Sequence, residues 1–189
     1  MTLSADQLAK AAEKATKAGL PPVHLWNPPF LGDIDMRIAR DGTWFYQGTP
    51  INRPAMVRLF STILRRDGGA YFLVTPVEKV GITVEDAPFV AIDFTVENPG
   101  PDQVLTFETS VGDHAAAGPA HPIRVARDPQ TGAPAPYVMI RAGLEALIDR
   151  KSFYRMVDLA QEEPVDGVRW YGIRSGGAFF PMIPSAEMG

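Results

Sequence analysis

Apolar and polar side chains alternate where Ile34, Met36 and Ile38 are interleaved with Asp35, Arg37 and Ala39. A period of two puts each set on one face of a strand. Asp41-Gly42 follows, a dipeptide suited to the left-handed backbone of a hairpin turn, and Thr43 to Gln47 forms the return strand. The period then changes. Met56, Leu59, Phe60, Ile63 and Leu64 fall at helical spacing, with Asn52 placed to cap, Pro54 in the first turn and Asp67-Gly68-Gly69 as the stop. Strands are predicted over Tyr71 to Thr75, Val77 to Val84, Phe89 to Val96 and Val104 to Thr109. Ahead of the hairpin, Ser4-x-x-Gln7 has the pattern of a capping box and predicts a helix from Ala5 to Ala18, stopped by Gly19 and Pro21. The proline-rich stretch from Pro21 to Pro29 fits neither helix nor central strand.

The pattern then starts over. Met36-Arg-Ile-Ala-Arg-Asp41 is matched, 87 residues on, by Ile123-Arg-Val-Ala-Arg-Asp128, with four of six positions identical. Arg53-Pro-Ala-Met56-x-x-Leu59-Phe60 is matched at an offset of 88 by Arg141-Ala-Gly-Leu144-x-x-Leu147-Ile148, which predicts a second helix there. One extra residue in the loop from Pro129 to Pro136 accounts for the slip. Phe153 to Val157 is then expected as an aromatic strand, with further strands over Val168 to Arg174 and Ala178 to Ile183. The small, polar stretch Gly112 to Pro119 is the expected seam. The reading is an α+β protein: an internal duplication of a β-hairpin–helix–β unit in two packed subdomains, with an N-terminal helix. Its boundaries are 1–20 for the helix, 21–111 for the first repeat and 112–189 for the second. Copies of this size are marginal alone and call for burial against a neighbour.

Composition narrows the function classes. Of 189 residues 46% are apolar and 21% charged, as in ordinary globular chains. The net charge of −4 argues against nucleic acid as a general partner. No run is long and apolar enough to span a bilayer, so no membrane partner is expected. The absence of cysteine excludes thiolate nucleophiles and zinc–cysteine sites and fits a cytoplasmic setting. The first residues have no signal-peptide pattern.

Familiar catalytic patterns are missing. His24, His114 and His121 form no ligand spacing, so neither a metal nor a cofactor is expected. There is no Gly-x-Ser-x-Gly elbow, Walker loop or Gly-x-Gly-x-x-Gly. Glu85-Asp86 and Glu162-Glu163 read as solvated turn acids, and no catalytic residue is assigned. The arginines are more informative. Arg37 lies on the first hairpin near Trp44 and Tyr46, Arg53 leads the helix, and Arg124 repeats the place of Arg37. Such arginines can fork onto a carboxylate or phosphate while an aromatic ring stacks on a base. The other reading, an Arg37–Asp35 pair on a solvated face, stays open.

Trp26-Asn-Pro-Pro, Asp35-Met-Arg-Ile-x-x-Asp-Gly-x-Trp44, Pro50-Ile-x-Arg53 and Leu59-Phe60-Ser61 together resemble the DUF1285 family. Tyr71-Phe-Leu-Val-Thr-Pro76-Val-Glu78-Lys79, Val84-Glu-Asp-x-Pro88-Phe89 and His121-Pro-x-Arg124 extend the resemblance over residues 20 to 180. It implies a duplicated α+β core whose C-terminal copy is pleckstrin-homology-like. It also implies an anionic or nucleotide-like ligand held between the copies and a link to signal transduction, with no catalytic residues. The expected lining is Trp26, Arg37, Arg53, Glu78, Lys79 and Arg124. The chain is thus read as a cytoplasmic small-molecule-binding or regulatory protein. Two rivals remain: a module that docks a protein partner, and an enzyme working without metal.

Overall fold

Ser4 closes the capping box that its spacing predicts. Its hydroxyl accepts the Gln7 N–H at 3.2 Å while the Gln7 side chain accepts the Ser4 N–H at 3.0 Å. Helix α1 (Ala5–Ala15) follows and buries Leu8, Ala9 and Ala12. The computed structural model describes residues 4–16 and 19–189, so Lys17 and Ala18 of the expected helix lie outside the described residues. The chain divides into two units, residues 1–88 and 89–189.

In the first unit the hairpin forms as expected. Strand β1 (Phe30–Ile38) pairs antiparallel with β2 (Trp44–Tyr46), setting Met36 opposite Tyr46 and Ile38 opposite Trp44. Met36, Ile38 and Trp44 are buried, and the Trp44 indole stacks on Phe60 at 6.2 Å between ring centres. A short β3 (Thr49–Pro50) leads to α2 (Pro54–Thr62), then β4 (Leu64–Asp67), β5 (Ala70–Val74) and β6 (Lys79–Val84). The sheet order is β3-β2-β1-β6-β5-β4, with β1 and β6 parallel. Two expectations change. The cap residue of α2 is Arg53 rather than Asn52. Leu64 to Asp67 is a strand, because Leu64 pairs with Leu73 across a hairpin whose turn uses Gly68 at φ +62°. Burial of both Ile63 and Leu64 mimicked a continuing helical stripe.

The second unit runs β7 (Phe89–Glu97), β8 (Val104–Thr109), β9 (His114–Ala116), β10 (Ile123–Arg127), β11 (Pro134–Arg141), β12 (Leu144–Ile148), α3 (Arg150–Asp158), β13 (Gln161–Val165), β14 (Val168–Ser175) and β15 (Ala178–Pro184). One sheet has the order β10-β11-β12-β7-β8-β9 and a second is β13-β14-β15. The stretch 112–119 is no seam. It contains edge strand β9, hydrogen-bonded to β8, with Ala115 and Ala117 buried; the units meet in sequence at Pro88 and Phe89.

The expected helix at Arg141 to Ile148 is also corrected. Ala142 and Gly143 both take positive φ in a tight turn, and Leu144, Ala146 and Ile148 are buried at a period of two. The helix lies one element later, over the predicted aromatic strand Phe153 to Val157. Asp149 caps it by accepting the Ser152 N–H at 2.9 Å, and Ser152 and Met156, four apart, are its buried face. With these shifts the duplication becomes more regular. Three strands, a helix and three strands (β1-β2-β3-α2-β4-β5-β6) are repeated as β10-β11-β12-α3-β13-β14-β15, behind the extra strands β7 to β9.

Candidate functional site

The residues singled out in the sequence fall in different places. Arg37 on β1 is paired with Glu85, not Asp35, and its guanidinium lies 4.2 Å from the centre of the Phe45 ring. Glu85 also accepts the Arg40 N–H at 3.0 Å, which fixes the carboxylate under the arginine. Arg53 reaches Asp6 of α1 at 3.0 Å and so joins α1 to the start of α2. Arg124 on β10 makes two hydrogen bonds to Glu145, at 2.8 and 3.0 Å, and covers the Tyr137 ring at 4.2 Å.

The Trp26 backbone and Lys79 are linked through Arg65 and Asp67. Arg65 donates to the Val23 and Trp26 carbonyls at 2.8 and 2.7 Å, which ties the proline-rich segment to β4. The same guanidinium meets Asp67, which accepts from Lys79 at 2.8 Å; the Lys79 ammonium lies 4.0 Å from the Phe72 ring centre. Hydrogen bonding from Arg65 and Lys79 outweighs partial burial and holds the Asp67 carboxyl below its ordinary range. Neighbouring Glu78 is pushed the other way, because desolvation disfavours its charged form. Arg37 lies toward the far end of this ladder: Lys79 is opposite Phe30, whereas Arg37 is opposite Thr83. Among the described residues no cluster of three or more His, Asp or Glu side chains could hold a metal ion, and no helix is long and apolar enough to cross a membrane.

A feature that sequence reasoning missed lies within the second unit. A cavity of about 290 Å³ opens beside α3. Val125 and Arg127, two apart on β10, share one strand face and form one wall; Phe153 and Val157, four apart on α3, share one helix face and form another. The third wall is β15, where Met182 and Ile183 both line the cavity although neighbours on a strand ordinarily point to opposite faces. A β-bulge explains this. Tyr171 pairs with Ile183 but Gly172 pairs with Pro181, so Met182 is an extra residue on β15. Gly172 makes the bulge possible, since a Cβ there would lie 2.3 Å from the Phe180 carbonyl oxygen.

Tyr171 supplies a phenol to this otherwise apolar wall, and Met188 closes one side. Arg127, about half exposed, is the charged group of the lining and is ion-paired with Glu187 in the short 3-10 turn Ser185–Glu187. The arrangement suits an apolar body with one anionic or hydrogen-bonding end. The spacings 125/127 and 153/157 were the available signals. The second was hidden because Phe153 to Val157 reads locally as a strand.

Residues 21–87 match the family model described as "Domain of unknown function (DUF1285), N-terminal domain", and residues 88–182 match "Protein of unknown function (DUF1285), C-terminal domain". The two matches divide the chain within one residue of the division between the structural units. The chain is similar to the crystal structure, at 2.50 Å, of a DUF1285 family protein from Silicibacter pomeroyi DSS-3. That similarity reaches 65% identity and a TM-score of 0.88, over 96% of this chain and 97% of that one. A DUF1285 family protein from Shewanella baltica OS155, solved at 1.40 Å, is 30% identical with a TM-score of 0.52, over 66% of this chain and 91% of that one. No curated protein matches.

Proposed function

The chain belongs to the DUF1285 family, and from that premise we propose that it is a small-molecule-binding protein with a regulatory role, whose ligand enters the cavity beside α3. The observation that carries this reading is the cavity's construction. A bulge and two independent element faces turn apolar side chains toward one space of about 290 Å³, near the lower end of ligand-pocket sizes. A largely apolar lining favours an apolar guest, because covering it removes apolar surface from water.

The arginines expected to bind an anion support a different role. Arg37, Arg53 and Arg124 are engaged with Glu85, Asp6 and Glu145 and act first as staples within their own units. The pleckstrin-homology-like character of the second unit, a cytoplasmic setting and a signalling role belong to the same proposal. They rest on the family resemblance and the cysteine-free composition.

Thermal unfolding with a panel of small carboxylates, alcohols and aromatic compounds tests the reading, because a ligand that binds the native state alone raises its melting temperature. Members of the panel raise Tm for the natural chain, and Val157→Trp, which fills the cavity, removes the shift. No shift with any compound overturns the reading.

A protein-docking role is the second reading, favoured by the exposure of Leu25, Phe30 and Leu31 in the first unit. Co-purification of a stable partner whose binding Leu31→Ser abolishes, with no small molecule changing Tm, would establish it instead.

A further inference from the structure

Arg127 lines the cavity, and its partner Glu187 stands directly before Met188, which lines it too. The protein's own chain thus places a carboxylate on the guanidinium and an apolar side chain beside the apolar space. From this we infer that the cavity takes a small amphipathic monocarboxylate whose head replaces Glu187 on Arg127, and that the Ser185–Met188 segment is the built-in competitor. This inference rests on the reading of the cavity as a binding site.

Charge and size select the class. Arg127 is the positive group of the lining, and a planar guanidinium is matched by a carboxylate, which it can hold through two parallel hydrogen bonds. At about 30 Å³ per non-hydrogen atom, the liquid share of one water, a cavity of about 290 Å³ holds roughly ten such atoms. A straight chain of about eight carbons fits that limit. Apart from the Tyr171 phenol, the lining beyond Arg127 offers the tail no hydrogen-bonding side chain, so chain length is the main determinant of affinity.

The segment is suited to displacement. Its contact with Arg127 is an ion pair with both side chains about half exposed, 51% and 48%, and such pairs contribute little to stability. Glu187 is exposed and Met188 is 49% exposed, so neither is fixed by deep burial. Glu187 meets Arg127 through one nitrogen only, so an incoming carboxylate held through two parallel hydrogen bonds replaces it with a net gain, and burial of the tail adds to that gain.

Calorimetric titration of the full chain with octanoate, and with octanol as its neutral counterpart, tests the inference. Octanoate is expected to bind at least about tenfold more tightly than octanol, the contribution of a charged hydrogen bond. Affinity should rise about fourfold per methylene up to roughly eight carbons and then level off. Arg127→Gln should lower octanoate to the level of octanol and leave octanol unchanged. Arg127→Lys should restore part of the preference, which separates charge from folding. Glu187→Gln should tighten octanoate, because the competitor loses its charge. If octanol binds as tightly as octanoate, the cavity reading stands and the carboxylate inference falls. If Glu187→Gln leaves octanoate affinity unchanged, the competitor role falls. If neither probe binds, the reading of the cavity itself fails.

Discussion

Arg37 and Arg124, 87 positions apart, make the same contact in the two units: each guanidinium lies 4.2 Å from the centre of the aromatic ring directly opposite on the neighbouring strand. The rings are Phe45 and Tyr137, and a glutamate, Glu85 or Glu145, holds each arginine in place. A cation over an aromatic face at a partly exposed site contributes about 0.5–1 kcal/mol. Arg37→Ala and Arg124→Ala are therefore each expected to lower stability by about 1 kcal/mol, read from urea unfolding. Arg→Lys should recover part of this at both positions.

Ser175 carries more. Its buried hydroxyl accepts the Leu105 N–H at 2.8 Å and donates to the Ala117 carbonyl at 2.8 Å. It joins the end of β14 to β8 and to the segment after β9. Ser175→Ala leaves two buried backbone groups without that partner and should cost about 1–3 kcal/mol, visible as a lower urea midpoint with an unchanged slope.

Gly172 and Gly69 should respond in opposite directions. A methyl at Gly172 would collide with the Phe180 carbonyl at 2.3 Å, a backbone atom that cannot rotate away. Gly172→Ala is expected to cost about 1–3 kcal/mol and to disturb the bulge that turns Met182 to the cavity. Nothing lies within 4 Å of a Cβ on Gly69, and its φ is not left-handed. Gly69→Ala should be neutral or stabilise by up to about 1 kcal/mol through the unfolded chain.

Asp67 and Glu78 give stability opposite pH dependences. Arg65 and Lys79 hold the Asp67 carboxyl low, so its contribution is complete above the unfolded carboxylate range and is lost as the pH falls through the folded value. Burial pushes Glu78 up, so folding favours its protonated form and becomes less favourable as the pH rises through the raised value. Asp67→Asn is expected to destabilise at neutral pH, by under about 1 kcal/mol because the group is partly exposed, with the difference shrinking in acid. Glu78→Gln should raise the unfolding midpoint slightly at neutral pH and leave it unchanged in acid.

Local signals made much of this fold legible. The capping box at Ser4, the Asp41-Gly42 hairpin and the repeated Arg37 and Arg124 are each written within a few neighbouring residues. Longer-range effects hid the rest. Phe153 and Tyr154 favour a strand by propensity, yet Asp149 caps a helix through them, and burial of Ser152 and Met156 at helical spacing decides the outcome. Arg141 to Ile148 resembled the α2 motif in composition, but the positive φ at Ala142 and Gly143 makes a turn and leaves a period-two strand. The cavity was least legible, because the bulge at Met182 arises from pairing between β14 and β15 and has no signature in either strand alone.

Methyl-labelled methionine NMR during titration with octanol tests the central claim most directly. The probe is neutral, so the result depends on the cavity and not on Arg127. Met182 and Met188 line the space, whereas Met36 and Met56 lie in the first unit and serve as internal references. A saturable shift of the Met182 and Met188 methyls, with Met36 and Met56 unmoved and the response lost in Val157→Trp, is the expected result. Unmoved Met182 and Met188 signals at saturating probe would contradict the account.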